Sequence, residues 1–229
     1  MSQTNSEVRI DQLIRSKRRT FAIEINQDGG LIVRAPSHAS KAEIAHLLEE
    51  KKSWILSKKR LAFEQALETP PKKFTPGEEF LYLGTSYPLE IVEGDHPLLV
   101  LKDRFFLAAD VQDEAQAVFT DWYRGQAAQV ITERAACQAQ KYGFSYSKVR
   151  INNAKTRWGS CGPKGSLNFP WRLVMAPLEV IDYVIVHELV HLRIRNHSKD
   201  FWDSVAQIMP DFKQRRKWIK DHGHRLRLD

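Results

Sequence analysis

The feature that most restricts this chain is an apolar run with two histidines and a glutamate set close together in it. The segment APLEVIDYVIVHELVHLRIRNHSKDFW reads as a buried helix ending near Asn196. Val180, Ile181, Val184, Ile185, Val186, Leu189, Val190 and Leu192 cover most of its circumference and leave little polar face. Yet His187, Glu188 and His191 lie inside it, and polar groups buried without partners are costly. A metal ion removes that cost. Residues four apart share a helix face, so His187 and His191 point the same way, with Glu188 about 100° round. Two imidazoles so placed can hold one zinc ion, and the carboxylate reaches a water beside it.

Two imidazoles do not complete a site. His197 follows His191 by six residues. On a continuing helix it would lie about 120° off the metal face, so the chain must turn first. The offset is that of the pattern HExxHxxGxxH, in which a Gly makes the turn. Ile194 stands at that Gly position, and a β-branched residue resists positive φ. Asn196 tolerates the left-handed conformation better, which places the helix end there. His197 is then the best third ligand, with Asp200 and Asp203, or His222 and His224, as alternatives. Asp200 and Asp203 are also near enough in sequence to orient the His197 ring. As a plainer reading, they are acidic residues in a helix first turn, where such charges are favoured. Tyr183, four before His187, shares the metal-facing side.

The rest of the chain supplies the scaffold. Residues 1–18 read as a peripheral arm. TFAIEI and LIVRA, around Asn26-Gln27-Asp28-Gly29-Gly30, form a β-hairpin. Ser40 and Glu43 make a capping box that opens a long helix to about Leu67, with Ile44, Leu47, Leu48, Ile55 and Phe63 as its apolar stripe. Pro70-Pro71 stops it. FLYL, YPLEIV, LLVL and RFFLAA, broken at Gly84 and Glu93-Gly94-Asp95, suggest a small antiparallel meander. A helix over residues 113–141 turns Val118, Trp122, Val130 and Ile131 inward and closes at Gly143. KVRIN and SLNFP then flank a Gly-rich excursion as paired strands of a hairpin, and such a strand can hold an extended substrate by main-chain hydrogen bonds. Within the excursion, Arg157 is a candidate for stabilising an oxyanion and Trp158 for lining the cleft. The plainer roles are an ion pair and a packing anchor. Cys161, in a Gly-bounded turn, reads first as a small packing residue, with occupation of the open metal position by its thiolate as the alternative. Beyond Asn196, Ser198 caps a helix holding Phe201, Trp202, Val205 and Ile208, and Pro210 opens a last helix that Gly223 ends.

These motifs carry a family resemblance. TRWGSCGPKGSLNFPWRL followed by VIDYVIVHELVHLRIRNHSKDFW, with FTPGEEFLYLGTSYPLEI upstream, closely resembles the YgjP-like family of metal-dependent hydrolases. The resemblance covers most of the chain from about residue 20. It implies a zincin-like core, zinc at His187, His191 and His197, and Glu188 as the catalytic carboxylate. NHSKDFW is also similar to the third-ligand region of SprT-type and WLM-type proteases, which act on proteins crosslinked to DNA.

Composition bounds the alternatives. The 229 residues suffice for one large domain or two small ones. No apolar run is long enough to span a membrane, and MSQTNSEVRIDQLI lacks the order of a signal peptide. Two cysteines imply no disulfide framework, and a cytoplasmic protein is expected. The net charge of +7 is either a solvated basic coat or an attraction to nucleic acid, fed by residues 15–19 and 213–227. The expected fold is α+β, a single domain over residues 19–229 after the arm. Its antiparallel β-rich part runs over about residues 19–110, and its zincin-like helical part over about residues 111–229. The expected activity is zinc-dependent hydrolysis of a peptide or protein substrate. Two other classes stay open: a structural zinc protein closed by His222 or His224, and a nucleic-acid-binding protein or DNA-associated protease.

Overall fold

The computed structural model describes residues 8–26, 29–94 and 97–229. Gln27, Asp28 and Asp95 of the expected turns, and residues 1–7 of the expected arm, lie outside these. The described chain is mixed α and β, with six α-helices and three sheets. It divides into two compact units, residues 1–70 and 71–229, at the proline pair that follows the second helix. No helix among the described residues is long and apolar enough to cross a membrane.

In the first unit, β2 (Ala22–Ile25) and β3 (Leu31–Pro36) form the expected antiparallel hairpin. Leu31, Val33 and Ala35 alternate into its core. The arm is more than an arm: β1 (Gln12–Ser16) pairs in parallel with the other edge of β3. Its QLIRS sequence hides few apolar groups, so the backbone ladder and local anchors hold it. Asp11 accepts from the Leu31 amide at 2.6 Å, and Arg15 donates to the Ala39 carbonyl at 2.6 Å. The capping box at Ser40 and Glu43 is present and opens α1 (Lys41–Glu50). The long helix, however, breaks at Lys51 (φ −97°, ψ 6°) before α2 (Lys52–Glu68). Ile44 and Ile55 stay buried, Ala62 takes the inner position, and Phe63 turns outward at 64% exposure.

In the second unit, β4 (Glu79–Tyr82), β5 (Thr85–Val92), β6 (Leu99–Leu101) and β7 (Phe105–Ala108) form one sheet in the order β4-β5-β7-β6. It is not an antiparallel meander, because β5 and β7 pair in parallel. The chain passes β7's place, makes β6 at the edge, and returns by a hairpin into the gap. The β4–β5 turn places Leu83 (φ 48°) and Gly84 (φ 83°) in the left-handed region, as a two-residue hairpin loop requires. Their amides donate to the carbonyls of Val174 and Met175. A Cβ on Gly84 would stand 2.8 Å from Pro177 Cγ, so glycine allows the turn to sit against Pro177, the N-cap of the helix that begins at Leu178.

Helix α3 (Ala115–Tyr142) lays Phe119, Tyr123, Ala127, Ile131 and Ala135 inward at four-residue spacing and ends at Gly143 (φ 66°). Ile131 is buried as expected, whereas Val118, Trp122 and Val130 flank the stripe and are only half-buried. Facing it is α4 (Leu178–Val190), in which every residue from Val180 to Val186 is buried. Arg134 of α3 binds both oxygens of Asp182 of α4, one of them at 2.8 Å. α5 (Lys199–Ile208) and α6 (Phe212–His222) pack on α4 from other sides. Pro210 precedes α6 by two residues instead of opening it, since Asp211 takes the N-cap position. A third sheet, β8 (Lys148–Asn152), β10 (Ser166–Pro170) and β9 (Ser160–Cys161), carries the expected pairing of KVRIN with SLNFP. That pairing is parallel, not a hairpin, because the excursion crosses over and contributes β9 as the antiparallel partner of β10.

Candidate metal centre

His187 and Glu188 lie in the last turn of α4, and His191 is its C-cap. The helix ends at Val190, earlier than the Asn196 expected. No left-handed residue makes the turn: among the described non-glycine residues only Phe74 and Leu83 have positive φ. Instead the ladder tightens. The amides of Leu192, Arg193 and Ile194 return to the carbonyls of Leu189 and Val190 at 3.0–3.1 Å. Asn196 acts through its side chain, accepting from the Ser198 amide at 3.2 Å. His197 thereby swings back over the helix end.

Three imidazoles then converge. His197 Nε2 lies 3.0 Å from His187 Nε2 and 3.1 Å from His191 Nε2. Among the described residues, these three form a group able to hold a metal ion, with ligand atoms all within 4.8 Å. The ring orientation is set from behind. His191 Nδ1 faces the Ile194 carbonyl at 2.9 Å, and a carbonyl only accepts, so the ring proton sits on Nδ1 and Nε2 presents a lone pair. Phe201, fully buried on α5, touches all three rings at centroid distances of 4.5–4.9 Å. Trp202 stacks on His197 at 5.6 Å. Burial, helped by the other two imidazoles and Arg216, pushes the His187 pKa down to about 3, and burial lowers that of His197 as well. Neutral imidazoles are what a cation needs. Tetrahedral zinc with nitrogen ligands at about 2.0–2.1 Å sets those atoms about 3.3 Å apart, close to the two spacings that His197 makes here.

Glu188 lies beside this group, 4% exposed. Burial raises its carboxyl to about pKa 7, against the downward pull of Arg157. Its Oε2 is buried and has no hydrogen-bond partner within the described protein. A carboxyl in that state is an unspent acceptor.

Comparison with known proteins decides the family. Residues 19–222 match the model of the YgjP-like metallopeptidase domain. The chain belongs to the YgjP-like family. Among solved structures, that of the metallopeptidase zymogen of Pyrococcus abyssi abylysin aligns with 40% of this chain and 93% of its own. The two are 20% identical, with a TM-score of 0.36. A search of curated proteins finds no match.

The other expected residues of this YgjP-like chain are dispersed around the triad. Tyr183 is buried with its ring 6.0 Å from His187, and burial pushes its hydroxyl up to about pKa 12. Asp200 and Asp203 are exposed on α5, and no described contact joins either to the His197 ring. They sit on the solvent face of the helix whose opposite face carries Phe201. Neither His222 nor His224 belongs to the group of three; His222 stacks on Trp218 at 4.8 Å with its Nδ1 at the Trp218 carbonyl. Cys161 also lies outside the group, its sulfur met by Arg195 at 3.5 Å. Arg157 is exposed, and Trp158 is half-buried against the core. Of the basic residues near the C-terminus, Arg215 pairs with Asp211, Lys217 with Asp221, and Arg216 covers the Trp202 ring at 4.5 Å. Phe201 is the residue the sequence undersold. Its place four after His197, at the start of a helix, was the available signal, but a phenylalanine there reads as ordinary core.

Proposed function

We propose that this YgjP-like protein is a zinc-dependent peptidase acting in the cytoplasm, with His187, His191 and His197 as ligands and Glu188 as general base. The carrying observation is three convergent Nε2 atoms beside a buried carboxylate with an unpartnered Oε2. An all-imidazole donor set suits zinc among the divalent metals. Two free cysteines agree with a reducing compartment.

When bound, the ion supplies Lewis-acid polarisation and a water of lowered pKa. Glu188 takes a proton from the attacking water at Oε2 and returns it to the departing amine nitrogen. Arg157 neutralises the oxyanion developing on the substrate carbonyl, and Trp158 lines the cleft. Tyr183 keeps the His187 ring in place from the preceding helical turn. An extended peptide adds to β9, an edge strand lying against α4, by main-chain hydrogen bonds.

The test combines metal analysis with cleavage of a mixture of unstructured peptides read by mass spectrometry. Glu188→Gln is expected to keep one zinc per chain and lose hydrolysis by about 100- to 10,000-fold. Cleavage at the parent rate would remove Glu188 from the mechanism, and zinc retained after His197→Ala would remove the third ligand.

A further inference from the structure

The excursion between β8 and β9 ends at Gly159, a residue to which the reaction above gives no task. Its backbone lies directly over the Glu188 side chain. A Cβ built on Gly159 would stand 2.5 Å from Oε1, 2.7 Å from Cγ and 2.8 Å from Cδ of Glu188. Non-bonded carbon atoms rest at about 3.5–4.0 Å, so no side chain fits there unless one partner moves. Glu188 cannot swing out freely, because it is 4% exposed in a close-packed interior.

The loop is also fixed on either side of that contact. Trp158 rests on Gly223, where a Cβ would stand 2.9 Å from its Cζ2. Arg195, from the turn that carries the histidines, donates to the carbonyls of Gly162 and Pro163, each at 3.2 Å. Two glycines thus make room in series: one admits the indole that holds the loop down, the other admits the carboxylate beneath it.

The geometry points to Gly159 as a positioning residue for Glu188, its missing side chain letting the loop backbone close over Oε1 while Oε2 stays unpartnered. The catalytic consequence rests on Glu188 being the base, whereas the steric coupling between the two positions can be measured without turnover.

The experiment is a double-mutant cycle on the full zinc-loaded chain, using Gly159→Ala, Glu188→Ala and the pair. Gly159→Ala is expected to lower the melting temperature by roughly 3 °C or more, and to cost nothing further once Glu188 is already alanine. Zinc content should not change, while kcat on the peptide mixture falls about 100-fold at unchanged KM. If Gly159→Ala does not fold, recovery of folding in the pair supports the cradle, and failure to recover overturns it. An equal loss of melting temperature in both backgrounds also overturns it, since the glycine would then serve the loop alone. A parent chain without peptidase activity would sink the proposed function, and the stability cycle would still decide whether Gly159 positions Glu188.

Discussion

Helices α2 and α4 are both rich in apolar residues, yet one is surfaced and the other entombed. Along the 17 residues of α2 only Ile55 and Ala62 are buried, while Trp54, Phe63 and Leu67 are 43%, 64% and 68% exposed. Along the 13 residues of α4 burial is nearly continuous and takes in Asp182 and Glu188. The difference lies partly in composition, since α2 carries six charged residues and α4 three, and partly in the neighbours. α2 lies beside β2 on a three-stranded sheet, which covers one stripe, whereas α3, α5, α6 and β9 enclose α4 from several directions. Apolar content states how much a helix can bury; the number of faces covered states how much it does. Only the enclosed helix can hold a carboxylate and imidazoles away from water, and the group of three histidines able to hold a metal ion sits there.

Four measurements would break or sharpen that contrast. The largest effect is expected from Ile185→Ala, a fully buried position on α4. It should cost about 2–5 kcal/mol in urea unfolding, and a loss below about 1 kcal/mol would mean the helix is less enclosed than described. Next is metal withdrawal. At free zinc 100 times Kd, chelation should remove about 2.7 kcal/mol. Hydrogen exchange should quicken in residues 187–201 and not in α2, whereas loss of protection in both would spread the linkage beyond the metal centre.

Asp182→Asn comes third. The Arg134–Asp182 pair is partly shielded, with side-chain exposures of 36% and 12%, and weakening it should cost about 1–3 kcal/mol. A neutral result would leave apolar contact as the sole tie between α3 and α4 at that point. The smallest change belongs to α2, where Phe63→Ser should stay within about 0.5 kcal/mol of the parent. A substantial loss there would reveal a cover for α2 and erase the contrast.

Legibility followed the range of the interaction. The capping box at Ser40 and Glu43 and the β2–β3 hairpin were readable because each is closed by residues a few positions apart. The break at Lys51 was not, since no proline or glycine marked it, and within α2 the inner place fell to Ala62, seven residues after Ile55, and not to Phe63. Parallel pairings were missed in all three sheets, between β1 and β3, β5 and β7, and β8 and β10. Alternating apolar residues announce a strand and say nothing of its direction.

The candidate metal centre divides along the same line. That His187 and His191 share a face, with Glu188 beside them, follows from helical geometry alone, because 3.6 residues per turn leaves no other arrangement. The place of His197 was a matter of tertiary structure. A six-residue connection has many conformations, and packing on Phe201 with tightened hydrogen bonds after Val190 selected the one that brings its Nε2 to the others. So too for Glu188, whose burial and whose cradle at Gly159 depend on a loop nearly thirty residues upstream. Local repeats are dictated by bond geometry, which the sequence carries; contacts across long stretches of chain are chosen by which surfaces can be covered together, and that is known only when the whole unit is assembled.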